Sequence, residues 1–323
     1  MQDFKKKLTE MLLERLGSDR YSIRETEMVK NNDLKLHSLC VVEEGEVFGA
    51  NIYVEEAFKI YQELTAISKN PWDELIDILM SRLVRSGEED RMLPAMVLEA
   101  ISNYDYMQDK IIFRIVNRNN NTQYLKDKVY LPFFNFAICF YVLANEPQED
   151  GTVGSIALTK GLVEKWGISL DEMLEIAKKN MQRLFPAKIE NVYQMIKKML
   201  DEDDFVKFIN PPLPSENTQN HYVLSNNIGV NGAVTICYDS VLKEFSKEHG
   251  EADIYIVPCS IHSVMIVPAD KCTDEEIQQL QETIQELNQK FLETEEMLDA
   301  DILYYQQAED KLIAYEKRKE KKD

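Results

Sequence analysis

Leu131-Pro-Phe-Phe-Asn-Phe-Ala-Ile-Cys-Phe-Tyr-Val-Leu-Ala144 is apolar on both of its alternating faces. A strand of that kind is stable only when it is covered on both sides, so the segment predicts a buried central strand. It falls short of the ~20 apolar residues that a membrane-spanning helix needs, and Asn135 interrupts it. On either side, residues 110–116 read as a strand, the Asn-rich 117–122 as a turn or cap, and 151–158 as a further short strand.

Helical periodicity surrounds this β-rich centre. Ser169-Leu170-Asp171-Glu172 fits a capping box, in which the Ser and Glu side chains satisfy the free N–H groups of a helix start. Leu170, Leu174, Ala177, Met181 and Leu184 then share a face, and Pro186 stops it. A further helix is expected over 187–200. Towards the N-terminus, Phe4, Leu8, Leu12 and Leu16 recur every four residues before Gly17. Three alternating segments follow (21–29, 34–42 and 47–54), with Asn31-Asn32-Asp33 as a hairpin corner. Helices are predicted over 55–68, closed by Pro71, then from Trp72 to near Ser86-Gly87, and over 94–101.

Asn-Pro-Pro-Leu-Pro-Ser-Glu-Asn-Thr-Gln-Asn (210–220) resists both helix and strand and is placed as a linker. Beyond it the pattern reads β-α-β-β-α-β: a strand at 222–225, a helix at 232–248, strands at 254–257 and 264–267, a long helix at 273–298 and a strand at 302–305. The fold class expected is therefore α+β. An N-terminal lobe of mixed elements with the buried strand (1–209) precedes the linker. A C-terminal lobe (221–316) and a charged tail (317–323) follow it.

The chain has 323 residues, a formal net charge of −20 and 44% hydrophobic residues. That surface disfavours nucleic acid, whose affinity comes largely from Lys and Arg releasing counterions. Five cysteines without a CxxC pair suit a reducing compartment. The N-terminus, an amphipathic helix with acidic residues, lacks the apolar stretch of a signal peptide, so a cytoplasmic setting is expected and no membrane. His37, His221, His249 and His262 are scattered without zinc spacing, and EF-hand spacing is absent, so no metal and no cofactor are expected.

Three polar groups are the candidate sites. Cys259, Ser260 and His262 place two nucleophile types beside a potential base after Pro258, yet catalysis also needs hydrogen-bond reach and an orienting third group. A tight turn in which Ser and His tie down backbone groups is the simpler account. Asn226-Asn227-Ile228-Gly229-Val230-Asn231-Gly232 lies between a strand and a helix, where Asn227, Gly229 and Gly232 could bring backbone N–H groups to a phosphate. The earlier glycine of the dinucleotide fingerprint and the P-loop lysine are both missing. Lys30, Asn31 and Asn32 could hold a ligand at a strand end, although a hairpin turn explains them. The stripe Ile277, Leu280, Ile284, Leu287, Phe291, Leu298 could dock a partner helix or pack on the C-terminal sheet.

The blocks VKNNDLKLHSLCV, NIYVEEAFKIYQEL, KIIFRIVNRNNNTQYLKD, LPFFNFAICFYVL, WGISLDEMLEIAKKN, YVLSNNIGVNGA and IYIVPCSIHSVMIVP resemble, in that order, a bacterial family of unknown function found in gut-associated Gram-positive anaerobes. In the last block the family pattern reads Pro-Ser-Ser-Ile-His-Glu. Here Cys259 and Ser263 stand at its first Ser and its Glu, while Ser260 and His262 keep it. The resemblance implies a bacterial cytosolic protein and supplies no activity, ligand or partner. The reading that follows is a non-enzymatic binding or protein-interaction protein, carried by a mobile element or acting as an accessory factor. The alternatives are a hydrolase or transferase using the Ser260–His262 loop, or a nucleotide-sensing domain.

Overall fold

A computed structural model describes residues 1–45, 49–90, 101–144, 153–201 and 219–315. It divides into two compact units, Met1–Asn103 and Tyr104–Asp323. Both helices and antiparallel sheets are present, an α+β fold. No helix among the described residues is long and apolar enough to cross a membrane.

The first unit is an antiparallel three-stranded meander of β1 (Tyr21–Val29), β2 (Lys35–Glu43) and β3 (Ala50–Tyr53). Against it pack α1 (Gln2–Leu16), α2 (Val54–Ile67) and α3 (Pro71–Asp90). Phe4, Leu8 and Leu12 of α1 are buried against Leu39, Ile52, Leu64 and Leu75. At the β1–β2 corner, Asn32 and Asp33 take φ of 60° and 52°, the left-handed conformation that Asn and Asp tolerate. Pro71 does more than close α2, which ends at Ile67: it is the first residue of α3, where its missing N–H costs nothing. Most of the helix expected over 94–101 lies outside the described residues, as does the start of the third strand.

The second unit holds two sheets. In one, β6 (Phe136–Leu143) is buried at every position, with β4 (Ile111–Asn117) along one edge. Along the other edge lie β5 (Tyr130–Phe133) and β7 (Ser155–Ala157). The single strand expected over 131–144 is thus a hairpin, folded at Phe134-Asn135, where Phe134 takes φ +53°. Asn117 caps the turn after β4, its Oδ1 accepting the N–H groups of Asn119 (2.8 Å) and Asn120 (2.9 Å). A short helical turn, α4 (Tyr104–Met107), leads into β4; α5 (Lys160–Trp166) and α6 (Leu170–Leu184) come after β7. The Ser169–Glu172 capping box forms at the start of α6. Asn180 of α6 donates to Gln108 O (2.7 Å) and Ile111 O (2.9 Å), which fixes that helix to β4.

The other sheet is antiparallel in the order β13-β12-β10-β11-β9-β8. Its strands are β8 (Ala187–Asn191), β9 (Tyr222–Asn226), β10 (Ile254–Ser260), β11 (Ser263–Pro268), β12 (Leu303–Gln306) and β13 (Lys311–Ala314). Residues 187–191, expected as helix, form a strand because they pair with β9 from Ala187↔Asn226 to Asn191↔Tyr222. The helix α7 (Val192–Asp201) begins only after them. That pairing joins strands from either side of 210–220. The Pro-rich run, described only from residue 219, therefore connects neighbours within one unit, while the division between units falls at Asn103/Tyr104.

The helix expected over 232–248 is two pieces, a 3-10 turn Gly232–Cys237 and α8 (Val241–Glu248). They are separated where Ser240 takes φ +69° and the Tyr238 hydroxyl donates to Phe185 O at 3.0 Å. The long helix predicted over 273–298 is α9 (Asp274–Phe291). It stops at Leu292 because the chain must return to β10, where Met297 bridges Ser260. Ile277 and Ile284 of α9 bury against Tyr255, Val257 and Tyr304 of the sheet.

Candidate functional site

Two of the three polar groups meet. β10 and β11 form a hairpin whose register shifts between Pro258 and Ser260, and Ile261-His262 make the tip. Ser260 Oγ accepts the His262 backbone N–H at 3.0 Å, a local turn bond that fixes this tip. The Asn226–Gly232 loop packs beside it. Ser225 Oγ donates to His262 O at 2.7 Å, and Ala233 N–H donates to Ile261 O at 3.2 Å.

The His262 ring is held on both nitrogens. Its Nδ1 accepts the Asn231 backbone N–H at 3.2 Å, so the proton of the neutral ring sits on Nε2. Nε2 faces Glu296 Oε1 at 3.4 Å. The ring therefore has an acid partner, while Ser260 Oγ is engaged with the backbone N–H of His262, and among the described residues no Ser, Thr or Cys side chain hydrogen-bonds either imidazole nitrogen. Glu296 comes from a turn 34 residues along the chain, and its own carbonyl accepts Ile261 N–H at 2.9 Å.

Cys259 is not an activated thiol. Burial pushes it up to about 12, which leaves almost no thiolate at neutral pH. Its side chain packs against the cluster of Tyr255, Val257 and Ile284, and its carbonyl accepts Asn288 Nδ2 at 2.5 Å.

The glycine loop is also explained by packing. A Cβ on Gly232 would lie 2.2 Å from Ser225 Oγ and 2.6 Å from both Asn226 N and His262 O. The residue is glycine so that three segments can close on one another. Gly229 takes φ +70°, the left-handed region that favours glycine. The loop's N–H groups are largely engaged. Asn227 N–H donates to Pro186 O, Ile228 N–H to Asn226 Oδ1, Gly229 N–H to Asn226 O and Asn231 N–H to His262. A phosphate would have to displace these bonds.

Lys30, Asn31 and Asn32 belong to the first unit and form its β1–β2 corner, where Lys30 N–H donates to Leu34 O at 2.8 Å and Lys30 Nζ lies 4.6 Å from the Tyr53 ring centroid. No group of three His, Cys, Asp or Glu among the described residues could hold a metal ion.

A family sequence profile matches residues 1–307. The chain belongs to the family of unknown function DUF5688. Neither a curated protein nor a solved structure matches it. In this DUF5688 member, the partners of His262 that sequence reading missed are Asn231 and Glu296. Neither carries a local signal, since each is joined to the histidine by tertiary packing alone.

Proposed function

We propose that this chain is a cytoplasmic, non-enzymatic interaction protein that docks a protein partner on the outer end of α9. The observation that carries this is the course of the helix's apolar stripe. Ile277 and Ile284 are buried on the sheet, whereas Leu287 is 47% and Phe291 77% exposed. Asn288 Nδ2 donates to the carbonyl of Cys259, next to last in β10, and Phe291 lies about 4.5 Å further along the helix axis. Exposed Glu286, Lys290 and Glu293 lie beside these two residues along the chain, so the partner's face is apolar with a polar rim of mixed charge. The chain's net charge of −20 disfavours nucleic acid.

The test compares wild type with the double variant Leu287→Glu/Phe291→Glu in affinity purification from the native host with quantitative mass spectrometry. A partner retained by wild type and lost from the variant at unchanged thermal stability is the expected result. An identical set of captured proteins would refute the proposal.

A hydrolase or transferase centred on His262 is the second reading, and the His262–Glu296 pair favours it. Among the described residues, no Ser, Thr or Cys side chain hydrogen-bonds the ring. A nucleotide-sensing role for Asn227, Gly229 and Gly232 would require phosphate to compete with the bonds that close the loop.

A further inference from the structure

The exposed end of α9 carries both signs of charge, and neither is spent within the chain. Glu286 and Lys290 are exposed and stand four residues apart. Among the described residues, neither makes an ion pair. An α-helix turns about 100° per residue. On that count Glu286 and Lys290 are neighbours on one flank, and the row of Leu287 and Phe291 separates them from the buried Ile277 and Ile284. Round the helix the order is therefore sheet-facing residues, apolar row, charged flank.

Such a surface is complementary to itself. Consider a second α9 antiparallel to the first, related by a two-fold axis level with Gln289 and perpendicular to the plane of the two helices. Leu287 of each copy then comes level with Phe291 of the other. The same axis sets like flanks side by side. At 1.5 Å per residue, Lys290 of each copy lies about 3 Å along the axis from Glu286 of the other. Two apolar contacts and two reciprocal ion pairs form together. A foreign partner would have to supply an apolar face with both charges in matching positions, whereas a copy of this helix already has them. Closed two-fold dimers are also the commonest assemblies of soluble proteins.

We propose, resting on the docking surface assigned above, that its occupant is a second copy of this chain, the two α9 ends pairing antiparallel about that axis. The contact is small. Two exposed apolar side chains per copy fall well short of the ~800 Å² per partner of a standard interface. The dimer is accordingly weak and reversible, populated at about 0.1–1 mM.

Sedimentation equilibrium of the full chain through that range tests the pairing, at an ionic strength that screens the repulsion between two chains of net charge −20. The mass should rise from one chain towards two. Phe291→Glu should remain monomeric with unchanged thermal stability. Glu286→Lys and Lys290→Glu should each weaken self-association about five-fold, because each turns both ion pairs into repulsions. Mixed together, these two variants should pair about as well as wild type, since one copy offers two cations and the other two carboxylates. A single-chain mass throughout would overturn the self-pairing and leave the surface to a different protein, which the comparison of captured proteins decides separately. A wild-type dimer indifferent to Phe291→Glu, or a mixture of the charge variants no tighter than either alone, would overturn it as well.

Discussion

Replacing Gly232 by Ala introduces one methyl group at the point where the two polar loops close on each other. The new carbon meets Ser225 Oγ at 2.2 Å and two backbone atoms, Asn226 N and His262 O, at 2.6 Å. The hydroxyl can rotate away; the backbone atoms must retreat by nearly 1 Å to reach ordinary contact. Overpacking of this kind costs roughly 1–3 kcal/mol. Retreat of His262 also breaks the Ser225–His262 and Ala233–Ile261 bonds, each contributing about 1 kcal/mol. The expected loss is about 3–5 kcal/mol, a fall in Tm of around 10 °C for a unit of this size. Urea denaturation in a Trp72→Phe background reads the second unit through Trp166, which is buried there. Gly229→Ala is the comparator: its φ is +70° but its Cβ meets open space, so about 1 kcal/mol is expected. A Gly232→Ala protein as stable as wild type, or no less stable than Gly229→Ala, would refute the account of this junction.

Ser260→Ala removes the acceptor of the His262 N–H and should cost about 1 kcal/mol, measured by the same denaturation; loss of an enzymatic turnover with unchanged stability would contradict the turn role. Cys259, with its thiol near 12, should resist alkylation by iodoacetamide at pH 8 in the native protein and react only on unfolding, as peptide mapping by mass spectrometry would record. Burial alone would raise Glu55, but hydrogen bonds from the His37 ring and from backbone N–H groups, that of His37 included, outweigh it and hold the carboxyl below its ordinary 4.5. A carboxyl depressed in the folded state stabilises above its unfolded value and loses that contribution as pH falls through the folded one. The first unit should therefore weaken below about pH 4.5, and Glu55→Gln should flatten this slope in pH-dependent thermal melts.

How much could be read beforehand depended on the range of the interactions. The α1 stripe, the Asn31–Asp33 corner and the Ser169–Glu172 capping box rest on neighbours within a few residues, and all appear where the pattern put them. The burial of 136–143 was legible from composition, but the fold at Phe134 was not, because an aromatic residue at φ +53° carries no turn signature. Ala187–Asn191 passed for helix since its strand identity exists only in pairing with β9, whose residues follow some thirty positions later. In the candidate site, Ser260 and His262 were visible, while Glu296 and Asn231 reach them only through the tertiary fold.

The most direct measurement of the central claim is a long-range ¹H–¹⁵N correlation spectrum of the His262 imidazole, recorded with the Asn231 amide assigned. If these polar residues lock the fold, the neutral ring carries its proton on Nε2, and His262→Phe shifts the Asn231 amide and speeds its hydrogen exchange. A proton on Nδ1, or an Asn231 amide indifferent to the loss of the ring, would mean that the histidine is free for chemistry and that the interlock does not exist.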